Sequence, residues 1–367
     1  MELQEKKPLL FSNKDLKKLI WPLIIEQLLT VLVGMMDTIM VASVGEAGVS
    51  AVSLVDSIMI LIIQIFAAIA TGGAVVAGQF LGAKDEDNAC SAANQLVLFI
   101  AALSVGVMAL VYLLRGFILH QVFGQISPEV MAYCSTYLDI VSLSIPFIAL
   151  YNGGAALFRT MGNSKISMYT SLLMNAINVV GNAILIYGFK MEVAGAAIPT
   201  LFSRIVAAVV MIALLRNPKL LVHLKRPFVL RFNGGLIKRI LYIGVPNGLE
   251  NSMFQLGKIM LLSLVSGFGT AAIAANAVGN TLATFMVLPG MALGFAVITV
   301  ISRCIGAGDY EQARYFTKKL LKITYLSMLV TNILVVVAMP VIVKLYNLSE
   351  VASTIAMQII LSHGIAA

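Results

Sequence analysis

The sequence predicts an all-α membrane protein: a polytopic helical bundle of two parallel, pseudo-symmetric lobes of six helices each, with the second lobe incomplete and about ten helices present. Three observations predict this fold class: long apolar segments, a one-sided distribution of Lys and Arg, and an internal repeat. The composition excludes an ordinary soluble domain, because 60% of the 367 residues are hydrophobic and only 11% are charged. Soluble domains carry roughly a quarter charged residues.

Ten apolar segments are long enough to cross a bilayer, which takes about 20 helical residues. They lie near residues 19–43, 50–77, 92–114, 133–156, 166–189, 194–215, 240–266, 272–302, 316–340 and 352–367. Transmembrane β-strands show alternating stretches of about ten residues instead. The segments therefore predict helices, and the tenth is cut short by the end of the chain.

Five prolines mark the predicted helices. Four of them lie within spans, where a proline removes a backbone hydrogen bond and permits a kink: Pro146, Pro199, Pro246 and Pro289. Pro22 lies near the predicted start of the first helix, where proline is ordinary punctuation. Bent helices are therefore expected at the four positions inside the spans.

The positive side chains lie mostly on one side of the predicted membrane. Of the 25 Lys and Arg residues, 20 lie before the first span or in the 2–3, 4–5, 6–7 and 8–9 connections. Arg115, Lys190 and Lys344 lie on the other side. The positive-inside rule then predicts a multi-pass protein of the cell inner (plasma) membrane with a cytoplasmic N-terminus. This topology explains the net charge of +8 without a nucleic-acid partner.

An internal repeat divides the chain into two related halves. Residues 22–89 align without a gap on residues 246–313 at a constant offset of 224 positions. Near the end of the match, LGAKDEDNA at 81–89 corresponds to IGAGDYEQA at 305–313. Six predicted helices separate the copies, so both begin on the same side of the membrane. Parallel repeats of this kind are found in transporters that bind substrate between two lobes.

The repeat sets the predicted domain organisation. We expect an N-lobe over 1–215, a basic cytoplasmic linker over 216–239 and a C-lobe over 240–367. The first lobe has six predicted helices, whereas the second reaches only the beginning of a fourth. A helix that stops in mid-membrane leaves carbonyl groups unsatisfied, so the chain is expected to be a fragment of a longer protein.

Asp37 lies near the middle of the first span, within GMMDTIMVASVG. A charged side chain there costs about 2.5–3.5 kcal/mol on insertion scales, and such residues usually face a partner or a cavity and carry function. Uptake of a proton or a sodium ion would neutralise the carboxylate and couple ion binding to a conformational change. Asp37 is therefore the candidate coupling-ion switch.

Three carboxamides lie on one face of the fifth predicted helix. Asn175, Asn178 and Asn182 recur at spacings of three and four residues. Inside a membrane such side chains meet polar partners or water, or they hold helices together. Both an ion-binding role and an interhelical role remain open from the spacing alone.

Other ionisable residues lie within the spans. Glu26 lies eleven residues before Asp37 on the same helical stripe, and Glu250 is its repeat mate. For both, a structural role near the cytoplasmic end of a cavity and a contact with ion or substrate are open. Lys258, two turns beyond Glu250, is a candidate to pair with a carboxylate of a neighbouring helix. Three further residues are candidates for buried ion pairs: Asp56, Asp139 and Arg204.

Several segments together resemble the multidrug and toxic compound extrusion (MATE) family. They are GMMDTIMVASVGEAGVSAVSLV, QFLGAKDEDNA, ALFRTMGNSK, NAINVVGNAILIYG, VAGAAIPT, SGFGTAAIAANAVGN and RCIGAGDYEQA, in the order of the family. The resemblance implies a twelve-helix, two-lobed antiporter that expels cationic or lipophilic small molecules in exchange for Na⁺ or H⁺. It implies no cofactor beyond this coupling ion. It also implies a monomer surrounded by membrane lipid and no enzymatic activity.

The resemblance implies a first-lobe cation site as well. Its positions correspond to Asp37, Asn178, Asn182 and Thr200, with Asp37 and Asn178 as candidate Na⁺ ligands. Many members have an aspartate where this chain has Asn182, which weakens a proton mechanism that relies on two carboxylates. The cavity candidates beside this site are Glu26, Glu250, Lys258 and Asn175.

Two other classes of protein are alternatives to an antiporter. A lipid-linked oligosaccharide flippase of the same broad superfamily would need several cations inside the spans to hold a pyrophosphate, but only Arg204 and Lys258 lie there. The excess of acidic groups favours a cationic cargo. An enzyme is disfavoured, because the sequence has no HExxH or DDxxD motif and its three cysteines have no metal-site spacing. The substrate and the choice between Na⁺ and H⁺ remain open.

Overall fold

The computed structural model describes residues 8–124, 126–225, 230–266, 268, 270–345 and 350–366. Within these residues the chain forms twelve α-helices and two π-helical turns. The helices are α1 (Asn13–Ala42), α2 (Glu46–Gly82), α3 (Glu86–Leu113), α4 (Arg115–Phe117), α5 (Pro128–Ser142), α6 (Ile145–Thr160), α7 (Ser164–Asn182), α8 (Ala194–Leu215), α9 (Gly234–Ser266), α10 (Thr270–Gly306), α11 (Tyr310–Leu345) and α12 (Glu350–Ala366). The π-helical turns Ile118–Val122 and Ala183–Gly188 continue α4 and α7.

The ten predicted spans each correspond to a helix or to two consecutive helices, which confirms the all-α fold class. In the described part of the chain, seven helices are long and apolar enough to cross a membrane, and the bent pair α5–α6 makes eight. The seventh predicted span is helix α9, whose interior carries Glu250 and Lys258. The tenth is α12, which has 17 residues.

The first helix begins earlier than its apolar run. Ser12 is the N-cap: its hydroxyl accepts from the Asp15 N–H at 3.2 Å, and the Asp15 carboxylate accepts from the Ser12 N–H at 3.0 Å. This capping box starts the helix in a polar stretch. Pro22 therefore lies inside α1, and the expectation that it marks the helix start is wrong. Pro22 cannot donate a backbone hydrogen bond within α1, and close to it the Ser164 hydroxyl donates to the Leu19 carbonyl at 2.7 Å.

The fourth predicted span is bent. Helices α5 and α6 meet at 47° across a two-residue break at Leu143 and Ser144. Pro146 is the second residue of α6, so the kink predicted there is confirmed. Pro199, Pro246 and Pro289 lie inside α8, α9 and α10.

The two repeats meet where α2 crosses α10. A Cβ added at Gly82 would overlap the Arg303 carbonyl, and one added at Gly306 would overlap the Gln79 carbonyl. At the offset of 224, Gly306 is the repeat mate of Gly82 and Arg303 is the mate of Gln79. Reciprocal contacts of this type are those of a two-fold arrangement. The pseudo-symmetry therefore holds in space, and glycine is required at both positions of the crossing.

At this junction, helices of each half of the chain pack into the apolar core of the other half. The first half of α1 contributes Leu16, Leu19 and Leu23 to a core shared with α10 and α11 of the second repeat. Likewise, α9 of the second half packs on α2 of the first half, where a Cβ added at Gly72 would overlap the Ile240 carbonyl. The junction lies at the end of the bundle that the charge distribution predicts to be cytoplasmic. The domain limits at 215 and 240 stay a prediction.

Candidate functional site

A cavity of about 130 Å³ lies among α1, α2, α5, α7 and α8 in the first half of the chain. Small and apolar residues form part of its wall, and polar side chains form the rest. The polar residues of the wall are Asp37, Thr38, Ser53, Asp56, Tyr137, Asn182 and Thr200. Two carboxylates thus line one partly open cavity.

The Asp37 carboxylate is held by two amides of α7. Asn182 Nδ2 donates to Asp37 Oδ1 at 2.9 Å. The Asn178 carboxamide satisfies its neighbours when its nitrogen faces Asp37, at 2.8 Å from Oδ1 and 3.1 Å from Oδ2, and its oxygen accepts from the Thr200 hydroxyl at 2.9 Å. The four positions that the resemblance assigned to a cation site therefore lie together.

Local packing explains how these side chains meet. Asn178 and Asn182 are one turn apart on α7, so their amides point the same way. Next to them, Gly181 allows α8 to approach closely, because a Cβ there would lie 2.6 Å from the Pro199 Cβ. This approach brings Thr200 within hydrogen-bonding distance of Asn178.

One acceptor of the site has no donor. Asn182 is 1% exposed, and its Oδ1 has no hydrogen-bond partner in the described structure. Buried polar atoms without partners are uncommon in native proteins. Carboxylate, amide and hydroxyl oxygens are the ligands that hard cations prefer. The Asp37 cluster therefore offers the chemistry of a small-cation site.

Asn175 lies apart from this cluster. It is half-buried on α7, three residues before Asn178, and its buried Nδ2 has no hydrogen-bond partner among the described residues. It does not line the cavity that contains Asp37. The shared helical face predicted for the three asparagines thus brings only Asn178 and Asn182 to the site.

Glu26 lies in a different environment. It is 4% exposed, its Oε1 lies 3.2 Å from Arg159 Nη1, and its Oε2 accepts from the Ser167 hydroxyl at 2.7 Å. Arg159 in turn lies 4.2 Å from the centre of the Phe295 ring on α10. The contacts support the structural alternative for Glu26.

Sequence reasoning missed Arg159, which it placed in a loop beyond the span 133–156. Helix α6 continues to Thr160, so Arg159 belongs to its last turn and its side chain is 11% exposed. The signal available in the sequence was the aromatic and small residues on either side, in ALFRTMG.

Glu250 and Lys258 do not reproduce the buried pairing of Glu26. Both are exposed on α9, and Glu250 has no hydrogen-bond or ion-pair partner among the described residues. Lys258 Nζ lies 5.1 Å from the centre of the Phe254 ring, one turn away on the same helix. The candidate pairing of Lys258 with a carboxylate of a neighbouring helix is therefore wrong in this structure.

The remaining ionisable candidates differ in their partners. Asp139 makes a two-bond ion pair with Arg115, at 2.6 and 2.8 Å, and both side chains are partly exposed. Asp56 accepts from the Tyr137 hydroxyl at 3.3 Å, and Arg204 Nη1 donates to the Ser144 hydroxyl at 2.7 Å. An ion pair is thus confirmed for Asp139, but it is not buried, whereas Asp56 and Arg204 bind neutral groups.

Two parallel repeats of membrane helices, with a carboxylate-containing cavity in the first half of the chain, are the architecture of repeat-type membrane transporters. The MatE family model matches residues 22–184 and 246–365, which include both repeats. The chain belongs to the MatE family, as the sequence resemblance predicted, and is a multi-pass membrane protein.

Curated relatives are similar over most of this chain. It is 27% identical over 304 residues to "Uncharacterized transporter YisQ" of Bacillus subtilis (strain 168), covering 82% of this chain and 66% of the relative. It is 29% identical over 294 residues to "Probable multidrug resistance protein YoeA" of the same organism, covering 77% and 62%. The chain thus spans less than two thirds of the length of these relatives. The flippase alternative is not favoured by these similarities.

Solved structures show the same fold. A MATE protein described in the straight conformation matches with a TM-score of 0.88 at 20% identity, over 95% of this chain and 77% of that one. An outward-facing multidrug resistance MATE family transporter matches with a TM-score of 0.83 at 21% identity, over 95% and 77%. At this level of identity the likeness concerns the fold.

Proposed function

We propose that the protein exports cationic or lipophilic small molecules by secondary active antiport with Na⁺ or H⁺, and that Asp37 is its coupling-ion switch. The observation that carries this proposal is the carboxylate of Asp37 in a mid-helix cavity, with the amides of Asn178 and Asn182 at 2.8 and 2.9 Å. Names of relatives such as "Probable multidrug resistance protein YoeA" and "Multidrug export protein MepA" support the class of substrate.

The geometry supports a simple exchange at Asp37. In the arrangement described here, two amide N–H groups stabilise the ionised carboxylate. A sodium ion would be held by the Asp37 carboxylate with the side-chain oxygens of Asn178, Asn182 and Thr200, whereas a proton would bind to the carboxylate itself. Either cation removes the negative charge that the two amides stabilise. The hydrogen bonds that join α1 to α7 then change, which favours a different helix arrangement.

The reciprocal α2–α10 crossing supplies the hinge for such a change. Parallel repeats of this type rock against each other around a central substrate. Helices α1 and α2 both contact the second repeat and both line the cavity, so a change at Asp37 acts on the junction directly. Carboxylates in the cavity attract cationic substrates. We further propose a plasma-membrane location with a cytoplasmic N-terminus, and a monomer in lipid without a nucleic-acid partner.

The test is efflux of a fluorescent organic cation from cells that lack their own pumps and express this chain. A sodium jump and a pH jump are applied separately. We expect one ion to stimulate efflux, Asp37→Asn to abolish the stimulation, and Asp139→Asn to retain it, since Asp139 lies outside the cavity. Stimulation that survives in Asp37→Asn at the wild-type level would refute the role of Asp37.

A further inference from the structure

The cavity that contains Asp37 has a second carboxylate with separate partners. Asp56 reaches it from α2 and accepts from the Tyr137 hydroxyl of α5 at 3.3 Å. The hydrogen-bond partners of Asp37 come instead from α7. The two carboxylates therefore face one space without sharing a hydrogen-bond donor.

A guanidinium group lies next to this pair. Arg204 is on α8, one turn after Thr200, and its Nη1 donates to the Ser144 hydroxyl at 2.7 Å. Among the described residues it makes no direct ion pair with Asp37 or Asp56, but it shares one face of α8 with Thr200, which lines the cavity, and this places its charge beside both carboxylates. An arginine keeps its proton inside proteins, so this positive charge is permanent.

The charges of the cluster do not cancel. Two ionised carboxylates and one guanidinium leave one net negative charge, and charges interact strongly away from bulk water. A single monovalent cation would neutralise the cluster. Removal of Asp56 would leave no net charge for that cation to neutralise, and removal of Arg204 would leave two negative charges.

We propose that Asp56 and Arg204 are part of the cation site, Asp56 as its second carboxylate and Arg204 as a fixed counter-charge that limits it to one monovalent cation. The proposal rests on the proposed binding of the coupling ion at Asp37. In it, Asp56 and Arg204 determine how tightly that ion binds, although neither contacts Asp37. The uncharged Asn178, Asn182 and Thr200 position the ion, whereas Asp56 and Arg204 set the electrostatic potential at the site.

The experiment measures cation-dependent thermal unfolding of the purified full chain in lipid nanodiscs. Exposure of the buried thiols of Cys90, Cys134 and Cys304 to a thiol-reactive dye reports unfolding. NaCl is titrated against choline chloride at about pH 8, and protons are titrated in sodium-free choline buffer from about pH 8 to about pH 5. The titratable side chains that line the cavity are Asp37 of α1, Asp56 of α2 and Tyr137 of α5, and Arg204 of α8 is the charged side chain beside them.

The expected results follow from the net charge. Asp56→Asn raises the half-saturating cation concentration roughly tenfold, and Arg204→Gln lowers it by a similar factor. The double variant, which has the wild-type net charge, returns toward the wild-type value. Arg204→Lys, which keeps the charge, and Asp139→Asn, which lies outside the cavity, leave the value unchanged.

The outcomes separate this proposal from the one on which it rests. Loss of the cation response in Asp37→Asn, with wild-type half-saturation in Asp56→Asn and Arg204→Gln, would overturn the present inference and keep Asp37 as the switch. An unchanged response in Asp37→Asn, or no response of the wild-type chain to either ion, would overturn both. If Arg204→Gln does not fold, a shift in Arg204→Lys as large as that of Asp56→Asn would still contradict the inference.

Discussion

Arg159 and Glu26 form an ion pair within the protein, with 3.2 Å between Nη1 and Oε1, and the same guanidinium lies over the Phe295 ring of the second repeat. The Thr299 hydroxyl, also on α10, donates to the Arg159 carbonyl at 3.2 Å. Arg159 thus joins α1 and α6 of the first half of the chain to α10 of the second. Its position at the predicted cytoplasmic end makes it part of the closed junction between the repeats.

We predict that Glu26→Gln destabilises the protein by about 3–5 kcal/mol, because it leaves the Arg159 charge enclosed without its partner. The matched control is Glu250→Gln at the repeat mate, which is exposed on α9. An exposed substitution of this type changes stability by about 0.5 kcal/mol or less. Thermal or denaturant unfolding in nanodiscs measures both variants, and equal losses would show that the ion pair is not the cause.

We predict that Gly82→Ala and Gly306→Ala each force α2 and α10 apart, because the added methyl group would overlap a carbonyl of the facing helix. Overpacking of this kind costs about 1–3 kcal/mol. Gly106→Ala in α3 is the control, since nothing lies near its Cβ position. Alanine there gains about 0.5–1 kcal/mol of helix stability. Unfolding midpoints measure all three, and a neutral Gly82→Ala would contradict the close crossing.

We predict that Asn182→Asp makes transport more dependent on protons. The new carboxylate would take the place of an amide that lies 2.9 Å from Asp37 Oδ1. Two carboxylates at such a distance cannot both remain ionised, so one of them keeps a proton. Efflux driven by a pH jump should rise relative to efflux driven by a sodium jump. Asn175→Asp, on the same helix but outside the cavity, should leave that ratio as in the wild type.

The cap of α3 predicts a defined acid response. Asp85 accepts from the Asn88 side-chain amide at 2.7 Å and from the Asn88 N–H at 3.1 Å, and these bonds lower the pKa of Asp85 below its usual value. Because the folded-state pKa is the lower one, the stabilisation is full above the ordinary carboxylate pKa of about 3.9 and is lost as the pH falls through the folded value.

Asp85→Ala should therefore lower the unfolding temperature at about pH 7 and lower it less at about pH 3. The measurement is a pair of thermal unfolding curves for wild type and variant at each pH. A difference that stays constant down to the lower pH would show that the ionised cap is not what stabilises the start of α3.

Much of the fold could be predicted because two signals are local in sequence. Hydropathy located the long helices of the described residues, though not the short α4 or the break between α5 and α6. The constant offset predicted two related halves, and the reciprocal contacts of Gly82 and Gly306 show that relation in space. Hydropathy could not locate helix ends, since caps and polar turns determine them. For this reason the hydropathy pattern put the start of the first helix near Pro22, whereas the helix begins at the Ser12 capping box. It also put Arg159 in a loop, whereas α6 continues to Thr160.

The candidate site was only partly predictable for a similar reason. Helical spacing puts Asn175, Asn178 and Asn182 on one face, but the packing of α1 on α7 decides which of them reaches Asp37, and the approach of α8 at Gly181 brings Thr200 to Asn178. The joint placement of Asp56 and Arg204 depends on how α2, α5 and α8 pack together. Such contacts between helices are not encoded in the spacing of residues along one helix.

The most direct test of the central claim is substrate-driven ion movement in proteoliposomes that contain this chain. An organic cation gradient is imposed, and movement of sodium and of protons in the opposite direction is recorded for the wild type, Asp37→Asn and the Asp139→Asn control. We expect one of the two ions to move against the substrate in the wild type and the control, and Asp37→Asn to abolish this coupled movement. Equal coupled ion movement in Asp37→Asn and the wild type would contradict it.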